Sequence, residues 1–328
     1  MTGMLRAAVV GVGQMGRHHA RVLSSMEGVE LVAVVDPRPQ SDPHVESLRV
    51  HDLAALERLT LDMAIVAVPT AVHASVAELL FERGTHVLIE KPVAPTAAQA
   101  RMIADAAART GVIACVGHIE RFNPALQSLR QRLARGDLGE IYQIATRRQG
   151  PFPERIADVG VILDLATHDI DTTAWVAGKP YTAVSAQTAN RSGREHEDLV
   201  AAVGTLADGT VVNHLVNWLS PLKERVTVVT GERGTFVADT LTADLTIYEN
   251  GAQPVEWEAL KSFRGVVQGD MTRFAIAKQE PLRNELMAFR DAVRGESMDV
   301  VGVEDAALTV AVAEEMLQSS RGQATGRA

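Results

Sequence analysis

The 328-residue chain is long enough, at roughly 100–200 residues per domain, for about two domains with cores of their own. Hydrophobic residues at 46% and charged residues at 22% describe a globular chain and exclude disordered and fibrous classes. Thirty-two basic against 41 acidic residues leave a net charge of −9 with no dense basic block, which argues against nucleic acid as a partner.

Along the first third, short β-branched runs alternate with Ala-, Leu- and Glu-rich segments. The pattern predicts strands over 5–10, 31–35, 63–68, 86–89 and 112–116, with helices over 16–24, 72–83 and 97–110. Such alternation is the mark of βαβ units around a parallel sheet. The longest apolar run, 63–68, is far short of the roughly 18 residues a membrane span needs. The run 7–13 after Arg6 mimics an export signal, but Gln14, Arg17, His18 and His19 stand where a cleavage site belongs. With Cys115 as the only cysteine, neither an intrachain disulfide nor a cysteine metal site can form, so a reducing cytoplasm is expected. His196 between Glu195 and Glu197 reads as a solvated charge run, and no metal is expected.

Asn123-Pro124 opens a predicted helix over 123–135, and a second covers 161–176 before the break at Gly178. From Tyr181 onward, turn chemistry at Asp208-Gly209, 231–234 and Asn250-Gly251 separates apolar runs, as in an antiparallel sheet. Helices over 281–294 and 304–319 close the chain. The expected fold class is therefore α/β plus α+β. Residues 1–120 form a doubly wound parallel sheet of Rossmann type, and 121–328 a substrate-binding and oligomerisation domain on a large, mostly antiparallel open sheet. The last helix is free to return to the first domain.

Gly11-Val12-Gly13-Gln14-Met15-Gly16 fits G-x-G-x-x-G between a strand and a helix. Gly11 would permit the tight turn, Gly13 the approach of a pyrophosphate, and Gly16 close packing of helix on strand. Asp36 lies 20 residues past Gly16, the offset of the carboxylate that accepts ribose hydroxyls. NAD is expected over NADP because that carboxylate repels a 2′-phosphate, while Arg38, two residues on, offers such a phosphate a partner. Pro69, Thr70 and His73 follow a strand at the carboxyl edge of the sheet, where cofactor binds, and Glu90 and Lys91 follow another. Without a ligand, the same glycines make an ordinary strand-to-helix turn.

Val68-Pro69-Thr70-Ala71-Val72-His73, Glu90-Lys91-Pro92 and Asp164-Leu165-Ala166-Thr167-His168-Asp169 occur in that order after the glycine motif. In this combination the chain resembles the glucose-fructose oxidoreductase, inositol dehydrogenase and rhizopine-catabolism family, Gfo/Idh/MocA, over essentially its whole length. The resemblance implies a Rossmann domain followed by an α+β domain whose sheet makes subunit contacts, hence a homodimer or homotetramer. The runs 147–153, 158–161 and 217–223 are similar to UDP-N-acetylglucosamine 3-dehydrogenases and related nucleotide-sugar oxidoreductases. Asp158-Val159-Gly160 departs from the glycine pair many members carry before the Asp-x-x-x-His helix.

Oxidising a secondary alcohol needs a base for the hydroxyl proton. Asp164 and His168, four apart on a predicted helix, share one face, and a carboxylate beside imidazole fixes its tautomer. Lys91 at the sheet edge can stabilise an alkoxide. The resemblance places Lys91, Asp164 and His168 at the family's catalytic positions, with His168 as base, Asp164 as its orienter and Lys91 polarising the oxygen; Lys91 is the other candidate base. Arg121 and Asn123 are candidate substrate contacts, Asn123 also a helix cap. Arg148 and Arg155, beside Arg147, suit bidentate phosphate contacts, against their plain reading as surface arginines. The expected function is hydride transfer between NAD and a secondary hydroxyl of a sugar, a nucleotide sugar first, with inositol or another polyol as the alternative. A non-catalytic NAD-binding regulator and redox-neutral glycoside cleavage stand as the other readings.

Overall fold

The computed structural model describes residues 3–39, 43–153, 159–251 and 267–324. Two compact units emerge, each built from two stretches: Met1–Ile119 with Glu280–Glu314, and Glu120–Gln279 with Glu315–Ala328.

In the first unit, β1 (Leu5–Val10), β2 (Val29–Val35), β3 (Arg49–Val50), β4 (Met63–Val66), β5 (His86–Ile89) and β6 (Ala114–Val116) form one sheet in the order β3-β2-β1-β4-β5-β6. Every pairing is parallel. The order reverses between β1 and β4, the switch point beside which such sheets bind ligands. The two-residue β3 has no periodicity to read and was not expected from the sequence.

Successive strand residues point to opposite faces, and both faces are covered, so the strands are apolar throughout. Ala8, Val10, Val66 and Ile89 pack with residues of α3 (His73–Phe81), α4 (Ala97–Thr110) and the closing helix Val303–Ala324. Ala7, Val9, Ile65 and Leu88 pack with Ala20, Val22 and Leu23 of α1 (Gln14–Leu23) and with Leu282, Leu286 and Phe289 of the helix Pro281–Val293. α2 is the short helix Pro43–Ser47. No described helix is long and apolar enough to cross a membrane.

In the second unit, β7 (Ile141–Pro151), β8 (Tyr181–Ala189), β9 (Leu199–Leu206), β10 (Val211–Asn217), β11 (Leu219–Gly231), β12 (Gly234–Asp239), β13 (Asp244–Gly251) and β14 (Val267–Arg273) form a sheet in the order β14-β13-β12-β11-β7-β10-β9-β8. Only β7 and β10 run parallel. Turns at Asp208-Gly209 and at 231–234 fall where turn chemistry put them. One reading needs correction: Asn250 and Gly251 stay in β13, paired with Gln268 and Val267, and do not form the turn. Arg147 and Arg148, before Gly150-Pro151, lie in the C-terminal half of β7, a central strand between β10 and β11.

α5 (Pro124–Ala134), capped by Asn123, and α6 (Thr167–Ala177), ended by the left-handed Gly178, contribute to the core on one face of this sheet with Ile144, Val212, Val229 and Phe236. The other face leaves Val203 and Leu215 exposed at 59% and 37%. The helix expected over 161–176 begins as a π-turn, Ile162–Ala166, before α6. Hydrophobic periodicity does not separate the two over one turn.

Phe289, fully buried, joins the helix Pro281–Val293 to the first sheet. Phe289→Ala should destabilise the protein by about 3–5 kcal/mol in urea unfolding; a near-neutral result would show that this helix contributes little to the first unit's core.

Candidate active site

The glycine loop follows β1 at its carboxyl end. Gly11 has φ +88, and a Cβ there would lie 2.5 Å from the Ala67 carbonyl oxygen. A Cβ on Gly16 would lie 1.8 Å from the Gly11 oxygen, so both positions exclude any larger residue. Around Gly13 the space is open. α1 starts there with no side-chain cap and no acidic residue in its first turn, which leaves the N–H groups of Gln14, Met15 and Gly16 and the positive helix end for an anion. Asp36, at the end of β2, is buried; it accepts the Val12 N–H at 2.9 Å and the Arg38 N–H at 2.9 Å. The exposed Arg38 guanidinium adds contacts at 3.1 and 3.2 Å. Burial works against its charge, but the Arg38 and Val12 donors outweigh it and hold the Asp36 carboxyl below its ordinary value. Pro69 and Thr70 continue from β4 beside this loop, where Val68 approaches Gly11. These residues fit a dinucleotide: a pyrophosphate on the helix end and ribose hydroxyls on Asp36.

His73 is placed differently from its expected contact with cofactor. It is 1% exposed, its Nε2 lies 2.9 Å from the Val68 carbonyl and its Nδ1 3.1 Å from that of Pro92. The ring thus ties the segment after β4 to the one after β5. Burial lowers its pKa.

Glu90 ends β5 as a buried carboxylate. His19, fully buried on the inner side of α1, meets it with Nε2 2.6 Å from Oε1, and the Lys91 N–H donates to Oε2 at 3.3 Å. Burial alone would raise the Glu90 carboxyl; the His19 hydrogen bond and the charges of His19 and Lys91 keep it low. The signal for the role of His19 was its position three residues past Gly16, on the face that α1 turns to the sheet. The Lys91–Pro92 bond is cis. Glu285, on the helix Pro281–Val293, is buried with Oε1 lacking a partner among the described residues, and burial together with the charge of Glu90 pushes its pKa well up.

In the second unit, Asp164 lies in the π-turn and His168 at the start of α6; both are under a tenth exposed. The turn is held from outside. Glu197 accepts the Ile162 N–H at 3.1 Å, and a Cβ on Gly160 would fall 2.0 Å from its carboxylate, so Glu197 occupies space that only a glycine at 160 leaves open. Glu197 therefore belongs to the structure and not to a solvated run.

The arginines divide by strand alternation. Arg147 is exposed and pairs with Glu224 at 3.0 Å. Arg148 points inward, 4% exposed, with Nη1 2.8 Å from Glu120 and Nε 2.9 Å from Asp169. The expected phosphate contact is thus corrected: its donors are committed to two buried carboxylates. Burial would raise Glu120, but the charges of Arg148 and Arg225 hold it low. Arg121 is likewise paired with Asp171, at 2.6 and 2.9 Å. Asn123 accepts the Ala125 N–H at 3.0 Å and donates to the Thr240 carbonyl at 3.0 Å, a cap that also ties down β12's end. Arg155 lies outside the described residues. Trp218 is buried edge-on to Phe152, ring centroids 5.3 Å apart. Behind α6, His214 is buried with Nδ1 2.7 Å from Thr146 and Nε2 2.8 Å from the Tyr181 hydroxyl; burial lowers its pKa to about 4.

Two measurements check this inner layer. Arg148→Ala leaves Asp169 buried without its cation and Glu120 with only Arg225 at 3.5 Å, and should cost about 3–5 kcal/mol of stability in urea unfolding, where a surface phosphate-binding arginine would cost almost none. His214 protonates at about 6.5 when unfolded but only near 4 when folded. The unfolded state therefore binds more protons across that window, so stability should fall as pH drops from about 6.5 to 4. His214→Asn should flatten that part of the profile; an unchanged slope would assign it to other groups.

A model described as "oxidoreductase family, NAD-binding Rossmann fold" matches residues 5–118, and a Gfo/Idh/MocA C-terminal domain model matches 126–237. UDP-N-acetylglucosamine 3-dehydrogenase of Acidithiobacillus ferrooxidans is 30% identical over 294 residues, 88% of each chain. Its solved structure, GnnA, superposes with a TM-score of 0.85 at 26% identity, covering 97% of this chain and 98% of that one. Inositol 2-dehydrogenase of Streptomyces avermitilis is 29% identical over 307 residues, 88% of this chain and 85% of that protein. GenD2 of gentamicin A biosynthesis, solved in complex with NAD, has a TM-score of 0.80 at 27% identity and covers all of this chain and 96% of its own. With both halves matched and the glycine loop, Asp36 and the Asp164 turn in place, the chain belongs to the Gfo/Idh/MocA family of NAD-binding oxidoreductases.

Proposed function

We propose that the protein is an NAD-dependent dehydrogenase of a nucleotide sugar such as UDP-N-acetylglucosamine, transferring hydride between a secondary ring hydroxyl and nicotinamide. The observation that carries this reading is the similarity to the nucleotide-sugar dehydrogenase over 88% of both chains. Gly11, Gly13, Gln14, Met15 and Gly16 hold the pyrophosphate, Asp36 takes the ribose hydroxyls, and Pro69 and Thr70 border the cofactor. When bound, nicotinamide supplies the hydride acceptor.

The protein's own work is on the proton and the charge. His168 takes the hydroxyl proton on an imidazole nitrogen, and Asp164 orients the ring and favours its charged form. Lys91 stabilises the negative charge that grows on the substrate oxygen, with its strand end fixed by the His19–Glu90 pair. Asp36 selects NAD because a buried carboxylate repels a 2′-phosphate. A second reading, a polyol dehydrogenase, is favoured by the similarity to inositol 2-dehydrogenase along most of both chains.

The test is turnover of purified protein with NAD or NADP on UDP-N-acetylglucosamine and a set of inositols, following reduced cofactor by absorbance and keto-sugar by mass spectrometry. Reduction of NAD by the UDP-sugar is expected, and His168→Asn should lower kcat by about 10²–10⁴-fold with NAD affinity by calorimetry unchanged. Turnover of inositol alone would transfer the assignment to the polyol reading.

A further inference from the structure

Arg225 stands on β11 directly opposite Arg148 on β7. Cross-strand partners share a face, so two cations lie side by side, an arrangement that is unfavourable without anions to offset it. Arg148 takes the close positions on Glu120 and Asp169. Arg225 is left with one ion pair, Nη1 at 3.5 Å from the Glu120 oxygen that Arg148 already holds at 2.8 Å. Its guanidinium makes no hydrogen bond to a described residue, its side chain is 34% exposed, and Asp164 is among the charges that act on it. Nor does it complete the internal network, since Asp169 Oδ2 has no partner among the described residues. Burial and Arg148 both press against its charge. A strongly buried counter-ion would be closed in; Arg225 instead keeps a planar fork of N–H donors open next to Arg148, whose partner Asp169 adjoins His168, and that fork matches a phosphate or carboxylate in two-point contact.

We propose that Arg225 is a substrate-specificity residue that binds an oxyanion carried by the sugar near the carbon that reacts. The assignment rests on the reading of Asp164 and His168 as the reacting pair. Two oxyanions meet the description: the anomeric phosphate of a nucleotide sugar and the carboxylate of a uronic acid.

The experiment compares wild type, Arg225→Gln and Arg225→Lys, with NAD, on UDP-N-acetylglucosamine, its 6-carboxylate analogue and myo-inositol. Calorimetric binding of the UDP-sugars to the NADH-loaded protein and thermal melting accompany the kinetics. Arg225→Gln is expected to raise KM and Kd for the charged sugars by about 10- to 100-fold, with kcat within about threefold, the melting temperature near wild type, and part of the loss recovered in Arg225→Lys. A rise for both UDP-sugars identifies phosphate; a rise confined to the 6-carboxylate analogue identifies carboxylate. If wild type binds a UDP-sugar without turning it over, the same loss of binding still supports the role of Arg225. Unchanged KM and Kd in Arg225→Gln, with a wild type that uses UDP-sugars, overturn this assignment alone. So does an equal loss on inositol with a lowered melting temperature, which makes Arg225 a counter-ion of Glu120. A wild type that neither binds nor oxidises any UDP-sugar overturns both the assignment and the nucleotide-sugar reading.

Discussion

The buried guanidinium of Arg148 is the interaction on which the second unit's chemistry depends. It joins β7 to Glu120, at the start of that unit, and to Asp169 on α6, one residue past His168. Desolvating three charges costs several kcal/mol for each ion, and only good geometry offsets it. The contacts at 2.8 and 2.9 Å supply that geometry; breaking the one to Asp169 would leave that buried carboxylate without its cation, while Glu120 would keep only Arg225 at 3.5 Å. What such a network contributes is therefore position more than stability. With α6 anchored at Asp169 and the π-turn held by Glu197 at its other end, Asp164 and His168 are fixed from both sides.

The first unit repeats the device with different residues. A buried carboxylate, Glu90, is held by a buried imidazole, His19, and Lys91 follows it in the chain. Each proposed proton-handling residue thus has next to it a charge that is desolvated and paired. The charge of Glu90 also reaches Glu285 and, with burial, pushes the Glu285 carboxyl well up, because two neighbouring buried carboxylates do not both ionise cheaply. On Glu90 the His19 hydrogen bond and the charges of His19 and Lys91 work the other way.

What could be read from the sequence was what local rules control. The parallel sheet, the glycine loop and the end of β2 at Asp36 depend on strand patterning and spacing. What could not be read depended on partners distant in the chain. Arg148 and Arg225 are 77 positions apart and become neighbours only through β7–β11 pairing. The Gly150-Pro151 pair masked β7 because proline usually ends a strand, and here it does so at the strand's last residue. His73 stood at the right sheet edge for a cofactor contact, but the carbonyls after β4 and β5 claim its ring. Asn250-Gly251 carried a strong hairpin signal, yet β13 runs through both residues, because pairing with β14 satisfies more backbone groups than a turn there would.

On the proposal that NAD is the cofactor, its selection would rest on an asymmetry in the Asp36–Arg38 pair. Asp36 is buried and held by main-chain donors that no ligand displaces, while Arg38 is 72% exposed at its side chain. An exposed ion pair of this kind is worth about 0–1 kcal/mol. Ribose hydroxyls can therefore replace the Arg38 guanidinium on the carboxylate at little cost, whereas the carboxylate itself cannot move away from a 2′-phosphate. A phosphate could be met by the released Arg38, but it would still face a fixed negative charge. On the NAD reading, selectivity comes from the rigidity of Asp36, and the mobility of Arg38 sets how far NADP is tolerated.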